Sequence, residues 1–277
     1  NLPRQVLFTA EHAATGAPKV SAAAETLGLI GGPTQLIPHA VHLNADRLLE
    51  LGANVDLILD GTDNMATRYL VNDYAVREGI PWIYAGVVSS GGLVLAIQPG
   101  VGPCLRCVFP DPPPPGALPT CDTAGVIGPA VGAIASMQAG LALRQLAGEE
   151  PPTPALIDLD VWSGSVRRLP VPRAPQCPCC VAGDLEFLEG ATADEAVSLC
   201  GRNTVQVLAP AGAPAPVADL VAANLRSAGI EVRQAGPLLR FTAEGHRVTL
   251  FPDGRALVEG TEDTSRARAV VARWVGA

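Results

Sequence analysis

The sequence predicts an α/β domain with a mainly parallel sheet and a cysteine-based metal knuckle, followed by a small α+β domain. Three observations support this prediction. Strand-like and helix-like segments alternate through the first two thirds of the chain, which is typical of α/β folds. Two Cys-x-x-Cys pairs lie within that part, and the pattern changes after about residue 184. We therefore place the two domains at residues 1–190 and 191–277.

The first domain is predicted from short apolar runs that alternate with helical patterns. The run 55–59 ends at Asp60-Gly61, as buried parallel strands often do, and Gly79 ends the helical pattern that follows. Predicted helices span 19–27, 65–77 and 125–146, and predicted strands span 36–43, 55–59, 81–88, 92–98, 155–161 and 165–171. A proline-rich loop over 109–119, with four consecutive prolines, interrupts regular structure.

The second domain is predicted to mix strands with helices in a smaller unit. Pro252-Asp253-Gly254-Arg255 is a hairpin signal between two apolar runs. Predicted strands span 204–208, 238–241, 246–251 and 256–259, and predicted helices span 217–227 and 265–275. This alternation indicates an α+β unit.

The composition excludes some classes of function. The 277 residues carry a formal net charge of −8, which argues against a nucleic-acid-binding surface. The stretch 125–143 is almost uncharged and long enough to suggest a membrane span. It is rich in Gly and Ala, contains Gln138 and is the single stretch of this kind in the sequence. We therefore interpret it as a buried helix and expect no membrane association. The first five residues lack the pattern of a secretion signal.

The seven cysteines indicate a metal site in a reducing, cytoplasmic environment. Their odd number in a chain of this size does not fit a secreted disulfide framework. Cys104-x-x-Cys107 and Cys177-x-x-Cys180 have the spacing of two metal-binding loops, which together complete a tetrahedral Zn²⁺ site. A redox Cys-x-x-Cys or unrelated buried thiols are the alternatives, and Cys179 could replace a neighbour as ligand.

Several segments, in order, resemble the ThiF/MoeB/HesA superfamily, which is similar to ubiquitin-activating enzymes. The resemblance covers about residues 1–185. The segments are N-L-P-R-Q (1–5), G-A-P-K-V (16–20), L-D-G-T-D-N with Arg68, P-C-L-R-C (103–107), P-T-C-D-T-A-G-V (119–126) and C-P-C-C (177–180). The resemblance implies a Rossmann-like homodimeric enzyme that uses ATP to adenylylate the C-terminal glycine of a ubiquitin-like sulfur carrier. It also implies a sulfur-donor protein, for thiamine, molybdopterin or tRNA thiolation.

The resemblance also assigns roles to individual residues. The residues that match the family's contacts to the ATP phosphates are Asn1, Arg4, Gln5 and Lys19. Asp63 matches the carboxylate that handles Mg²⁺, and Cys121 matches a crossover-loop cysteine that forms a covalent link to the carrier in some relatives and is dispensable in others. Arg4, Asp63 and Cys121 are therefore the expected catalytic residues.

The chemistry of adenylylation fits these residues independently. A carrier carboxylate and the α-phosphate of ATP are both anions, so cations must offset their repulsion. Arg4 can make paired planar contacts and Lys19 supplies a point charge. Asp63 follows a buried strand and precedes a helix, where open α/β sheets bind ligands, and Mg²⁺ held there would orient the pyrophosphate.

Each of these residues also has a simpler interpretation. Thr62-Asp63-Asn64 could cap the helix that begins near residue 65. Arg4 and Lys19 could be solvated surface charges, and Cys121 could be a small buried hydrophobic residue.

Two departures from the family leave alternatives open. The chain begins at N-L-P-R-Q, without the family's glycine-rich strand–turn–helix, so we expect either a segment omitted from this chain or a relative that has lost ATP binding. Residues 190–277 lack a rhodanese active-site loop, and we expect them to bind a partner or support a dimer. The rival functions are an inactive zinc scaffold that binds a ubiquitin-like protein, and adenylylation of another acceptor such as a peptide or a tRNA base.

Overall fold

The fold is taken from a computed structural model, which describes residues 2–113, 123–149, 153–190, 196–199, 203–209 and 216–276. The chain forms two compact units. The first unit is Leu43–Ala191, and the second comprises Arg4–His42 and Thr192–Ala277. Residues 4–42, which the sequence assigns to the first domain, therefore belong to the same unit as the C-terminal segment.

The first unit contains a five-stranded sheet in the order β1-β2-β3-β4-β5. Its strands are β1 (Ile58–Leu59), β2 (Trp82–Val88), β3 (Gly91–Ile97), β4 (Ala155–Asp160) and β5 (Ser165–Pro170). Its helices are α3 (Ala45–Leu51), α4 (Met65–Glu78), α5 (Leu105–Val108), α6 (Gly128–Leu146) and α7 (Glu186–Glu189). The predicted α/β class is confirmed for this unit.

The sheet is mixed over the described strands, where the sequence predicted a mainly parallel one. β1 pairs in parallel with β2, since helix α4 connects them, whereas the other three neighbouring pairs are antiparallel. The turn at Ser89-Ser90 joins β2 to β3 with Val88 opposite Gly91. A two-residue connection of this kind permits only antiparallel pairing.

The two faces of the sheet bury different side chains. Alternating residues of β2 point to opposite faces, as the pleat of a strand requires. Trp82 and Tyr84 pack with α4 and with the two segments that carry the Cys-x-x-Cys motifs, residues 104–107 and 177–180, here called the cysteine loops. Ile83 packs with α6 on the other face. Helix α4 is thus held between the sheet and the cysteine loops.

Helix α6 has a buried stripe and an exposed face, so the prediction of a buried helix holds for one side of it. Its buried residues recur every four positions and are Ala130, Ile134, Gln138 and Ala142. The opposite side includes Leu143, which is 69% exposed. Within the part of the chain that the structure describes, no helix combines the length and apolar character needed to cross a bilayer.

The second unit contains a six-stranded antiparallel sheet in the order β6-β7-β11-β10-β9-β8. Its strands are β6 (Ala196–Leu199), β7 (Thr204–Val207), β8 (Val232–Ala235), β9 (Leu238–Ala243), β10 (His246–Leu250) and β11 (Ala256–Glu259). Its helices are α1 (Ala10–Thr15), α2 (Lys19–Ile30), α8 (Ala218–Ser227) and α9 (Thr264–Trp274). Helices α8 and α9 cover one face of this sheet and enclose its core.

The predicted strand over 36–43 is wrong. The structure assigns no strand to these residues, and Leu36 and Ile37 are exposed. Pro38 lacks the N–H group that a strand ladder needs, and the apolar pattern alone supplies no pairing partner. The structure also contains elements that the sequence pattern did not predict, namely α1, α3, α5, α7, β6 and β8.

Candidate metal centre and the Asp63 loop

Four cysteines of the first unit form a group that can hold one metal ion. The Sγ atoms of Cys104, Cys107, Cys177 and Cys180 all lie within 4.8 Å of one another. Cys104 Sγ is 3.5 Å from Cys177 Sγ, and Cys107 Sγ is 3.5 Å from Cys180 Sγ. In a tetrahedral site with Zn–S bonds of about 2.3 Å, the sulfurs lie about 3.8 Å apart. The arrangement therefore fits a tetrahedral ion with four thiolate ligands.

Each cysteine pair is shaped by a tight backbone turn. The N–H of Cys107 donates to the carbonyl of Cys104 at 3.1 Å, and Cys104 is the N-terminal cap residue of α5. The N–H of Ala182 donates to the carbonyl of Cys177 at 3.0 Å. These turns bring the first and fourth residues of each motif onto one side, which is why the x-x spacing suits one shared ion.

In the absence of a cation, burial disfavours the thiolate forms of Cys107 and Cys177. Burial raises the pKa of Cys177 to about 11, and burial likewise raises the pKa of Cys107. Burial alone would also raise the pKa of Cys180, but hydrogen bonds from Arg173 and the neighbouring thiols lower it. Clustered thiolates repel one another, and a divalent ion removes that repulsion while displacing the protons.

Cys179 lies beside the group without belonging to it. Its Sγ donates to Asp73 Oδ1 at 3.4 Å and accepts from Asn72 Nδ2 at 3.3 Å. Cys177 and Cys180, rather than Cys179, complete the group with the first pair. The five described cysteines are all free of disulfide bonds.

A buried ion pair fixes the loop that carries Asp63. Asp60, at the end of β1, accepts from Arg68 Nε at 2.9 Å, and its other oxygen accepts from the N–H of Thr62 at 2.8 Å. Arg68 also donates to the carbonyls of Thr62 at 2.7 Å and Ala85 at 2.9 Å. The side chains of Arg68 and Asp60 are 10% and 2% exposed. The loop is therefore tied to both β1 and β2.

Gln138 supports the same loop from α6. Its Nε2 donates to the carbonyls of Asp60 at 2.9 Å and Ile83 at 2.8 Å. This side chain is the polar interruption in the apolar stretch noted in the sequence. It satisfies two carbonyl groups where β1 ends.

Asp63 is exposed on this rigid support. The side chain that caps α4 belongs to Asn64, which accepts from the N–H of Thr67 at 2.9 Å. Asp63 thus stands at the carboxyl end of a parallel strand and before a helix, where open α/β sheets bind ligands.

The other described site residues belong to the second unit. Arg4 and Gln5 are half-buried and Lys19 is exposed, and all three belong to the second unit, whereas Asp63 belongs to the first. Lys19 is the first residue of α2, whose cap position Pro18 makes no side-chain hydrogen bond. Asn1 and Cys121 lie outside the described residues.

Three buried polar residues around the cysteine loops were not predicted from the sequence. Asn72 and Asp73 are both 0% exposed, and Arg106 is 3% exposed. Arg106 pairs with Glu186 at 2.7 Å and donates to the carbonyl of Pro110 at 3.1 Å. In the sequence, Asn72 and Asp73 are adjacent polar residues in the middle of a predicted helix. Polar side chains that are buried at such positions normally require hydrogen-bond partners inside the protein.

Comparison with known proteins identifies the class. Residues 1–179 match the profile of the ThiF family, and the chain belongs to that family. The chain is 38% identical over its whole length to the sulfur carrier protein ThiS adenylyltransferase of Bacillus subtilis, of which it covers 82%. It is 39% identical over 65% of its length to the sulfur carrier protein adenylyltransferase of Thermus thermophilus, of which it covers 68%.

Solved structures show the same fold. The microcin C7 biosynthetic enzyme MccB, in complex with N-formylated MccA, matches 65% of this chain with a TM-score of 0.56 at 20% identity. A structure of E. coli MccB with ATP matches 65% of the chain with a TM-score of 0.53 at 20% identity. The chain spans about 55% of the length of these MccB chains. This likeness establishes the fold alone.

Proposed function

We propose that this protein adenylylates the C-terminal glycine of a ubiquitin-like sulfur carrier. The carrier carboxylate attacks the α-phosphate of ATP, forming carrier-CO-AMP and releasing pyrophosphate. A sulfur nucleophile from a donor protein then displaces AMP from the adenylate, which is the first step towards a thiocarboxylate. The observation that carries the proposal is the exposed Asp63 on a loop held by the buried Asp60–Arg68 pair. Full-length similarity to a sulfur-carrier adenylyltransferase supports the same reaction.

The charged residues have separate roles in this proposal. Asp63 would hold Mg²⁺, which when bound would offset the negative charge of the phosphates. Arg4, Gln5, Lys19 and Asn1 contact the ATP phosphates, and Arg4 stabilises the charge that develops at phosphorus. These assignments rest on the sequence motifs and on the need to offset the repulsion between two anions.

The four-cysteine centre would hold Zn²⁺ in a structural role. Four thiolates would fill all four positions of a tetrahedral ion and leave none open for a substrate. The donor set and the sulfur spacing favour zinc over harder cations such as Mg²⁺ or Ca²⁺.

The finer features of the proposal come from the family resemblance. We expect a homodimer acting in the cytoplasm on a carrier that ends in Gly-Gly, because a tail without side chains threads most easily to the α-phosphate. Residues 1–190 form the catalytic domain and 191–277 a smaller domain in this view. The product serves thiamine, molybdopterin or tRNA thiolation.

Cys121 is assigned to the sulfur-transfer stage rather than to adenylylation. The first step requires positioning and electrostatics but no covalent enzyme group. The variant Cys121→Ser should therefore keep ATP–pyrophosphate exchange and lose thiocarboxylate formation. Loss of both activities would remove this assignment.

The test is carrier-dependent ATP–pyrophosphate exchange with Mg²⁺ and a Gly-Gly-terminated sulfur carrier. Asp63→Ala should reduce exchange by at least about 100-fold, since several kcal/mol of charge stabilisation by the ion are lost. Asp56→Ala removes another exposed carboxylate of the same unit and serves as the matched control. Absence of exchange in the folded wild-type protein with any Gly-Gly carrier would favour a non-catalytic scaffold.

A further inference from the structure

Helix α4 carries two adjacent polar side chains that are fully buried. Asn72 and Asp73 are each 0% exposed, and they lie in a helix segment whose residues from Arg68 to Ala75 are all buried. Burying an amide and a carboxylate is unfavourable unless each finds hydrogen-bond partners. Their partners therefore show what the pair does.

Asn72 contacts both cysteine loops with a single amide group. Its Oδ1 accepts from the N–H of Leu105 at 2.8 Å, directly after Cys104, and Leu105 begins α5. Its Nδ2 donates to Cys179 Sγ at 3.3 Å, between Cys177 and Cys180. The Asn72 amide therefore forms one hydrogen bond with each of the two cysteine loops.

Asp73 holds the second loop and the chain that follows it. Its Oδ2 accepts from the N–H of Phe187 at 3.0 Å, and its Oδ1 accepts from Cys179 Sγ at 3.4 Å. Phe187 lies in α7, and its ring packs on Tyr69 of α4 with the centroids 4.8 Å apart. The segment after Cys180 is therefore docked on the same helix.

We propose that Asn72 and Asp73 position the two cysteine loops against each other, so that the affinity for the metal depends on this pair. The proposal rests on the zinc site proposed above. Cys104 and Cys177 are 73 positions apart in sequence, and a shared support on α4 places them together. Without that support the ion itself has to order both loops, and ordering mobile loops weakens binding.

The proposal differs from a general role in stability. A buried polar pair that only supports the core would change the unfolding midpoint but not the rate at which the folded protein releases its metal. A pair that orients the loops carrying the ligands changes metal binding in the native state. Residues that orient metal ligands typically change metal affinity by about 10- to 100-fold when they are replaced.

The experiment measures Zn²⁺ in the full chain. The zinc content of the wild type is determined first, and release to a chromogenic chelator is then followed under native conditions. Asn72→Ala and Asp73→Ala should release zinc about tenfold faster and bind it about 10- to 100-fold more weakly. Asp73→Asn keeps an acceptor for the N–H of Phe187 and should therefore release zinc more slowly than Asp73→Ala does.

Two further variants keep the test decisive. Ile134→Ala lowers stability from the other face of the sheet, in a core cluster that contains no cysteine, and should leave the release rate of the folded protein unchanged. Asn72→Ser is a milder change, to be used if Asn72→Ala does not fold as judged by circular dichroism, and it should still release zinc faster.

The outcomes separate the two proposals. Wild-type release rates in the Asn72 and Asp73 variants would overturn the positioning role and leave the zinc site standing, and so would equal acceleration in Ile134→Ala. A wild-type protein that binds no zinc would overturn both the metal site and this inference.

Discussion

The cysteine centre and the Asp63 loop are both attached to helix α4, yet they are built in opposite ways. The cysteine centre lies beside the middle of the helix, where Cys104 and Cys177 are each 1% exposed. The Asp63 loop lies at the N-terminus of the helix, where Asp63 is exposed and the Asp60–Arg68 pair that supports the loop is buried.

The two regions differ in whether the groups available to a ligand are buried or exposed. At the cysteine centre two of the four thiols that can hold an ion are buried and two are half-buried, so metal binding there would be linked to folding. At the Asp63 loop the buried Asp60–Arg68 pair holds the backbone, and Asp63 is left accessible for a ligand. Substitutions at the first region should therefore reduce stability, and those at Asp63 should reduce activity.

The largest effect on stability is expected at the cysteine centre. Cys177→Ser removes one of four sulfur ligands from a buried position, and loss of a structural metal is among the few single changes that cost more than about 4 kcal/mol. The urea concentration at the midpoint of unfolding and the zinc content should both decrease. Cys179→Ser should keep its zinc, because Cys179 lies outside the four-sulfur group. Equal zinc loss in both variants would contradict the ligand assignment.

A somewhat smaller loss is expected when the support of the Asp63 loop is cut. Arg68→Ala leaves the Asp60 carboxylate buried without its partner, which should cost about 3–5 kcal/mol in the free energy of unfolding. Denaturant unfolding of the purified protein measures this. Arg77→Ala, on the exposed side of the same helix, should change stability by less than about 0.5 kcal/mol. Similar values for both variants would refute the anchoring role of Arg68.

A moderate effect is expected at Gln138. Gln138→Leu keeps the buried volume close to that of glutamine but leaves the carbonyls of Asp60 and Ile83 without this donor. The loss should be about 1–3 kcal/mol by denaturant unfolding. Leu143→Gln on the exposed side of α6 is the control, and it should be nearly neutral. A neutral Gln138→Leu would show that the amide does not support the end of β1.

The smallest effect on stability is expected at Asp63 itself. Because Asp63 is exposed, Asp63→Ala should change the free energy of unfolding by no more than about 0.5 kcal/mol, while it strongly reduces ATP–pyrophosphate exchange as proposed above. Thermal unfolding and exchange measured on the same preparation compare the two effects. A large loss of stability in Asp63→Ala would remove the contrast between the two regions.

Local patterns in the sequence predicted much of the first unit. The pattern of helix α4 with Asn64 at its cap and the Cys-x-x-Cys spacing both depend on neighbours within a few residues. The run 55–59 predicted a buried strand, but only Ile58–Leu59 form a strand and Leu59 is 51% exposed. The strand prediction over 36–43 failed for a related reason. An apolar run states which residues prefer burial, but a strand also needs a hydrogen-bonded neighbour, and Pro38 removes one donor.

The amino-acid sequence by itself determined the family, the α/β class and the four cysteines that meet at the metal centre, because these depend on motifs and local periodicity. Only the tertiary structure decided that Cys179 stands apart and that Asn72 and Asp73 hold both loops. It alone also showed that Arg68 and Gln138 converge on Asp60. Apart from the Asp60–Arg68 pair, these hydrogen bonds join residues 33 or more positions apart in the chain, so they arise only when distant elements pack together.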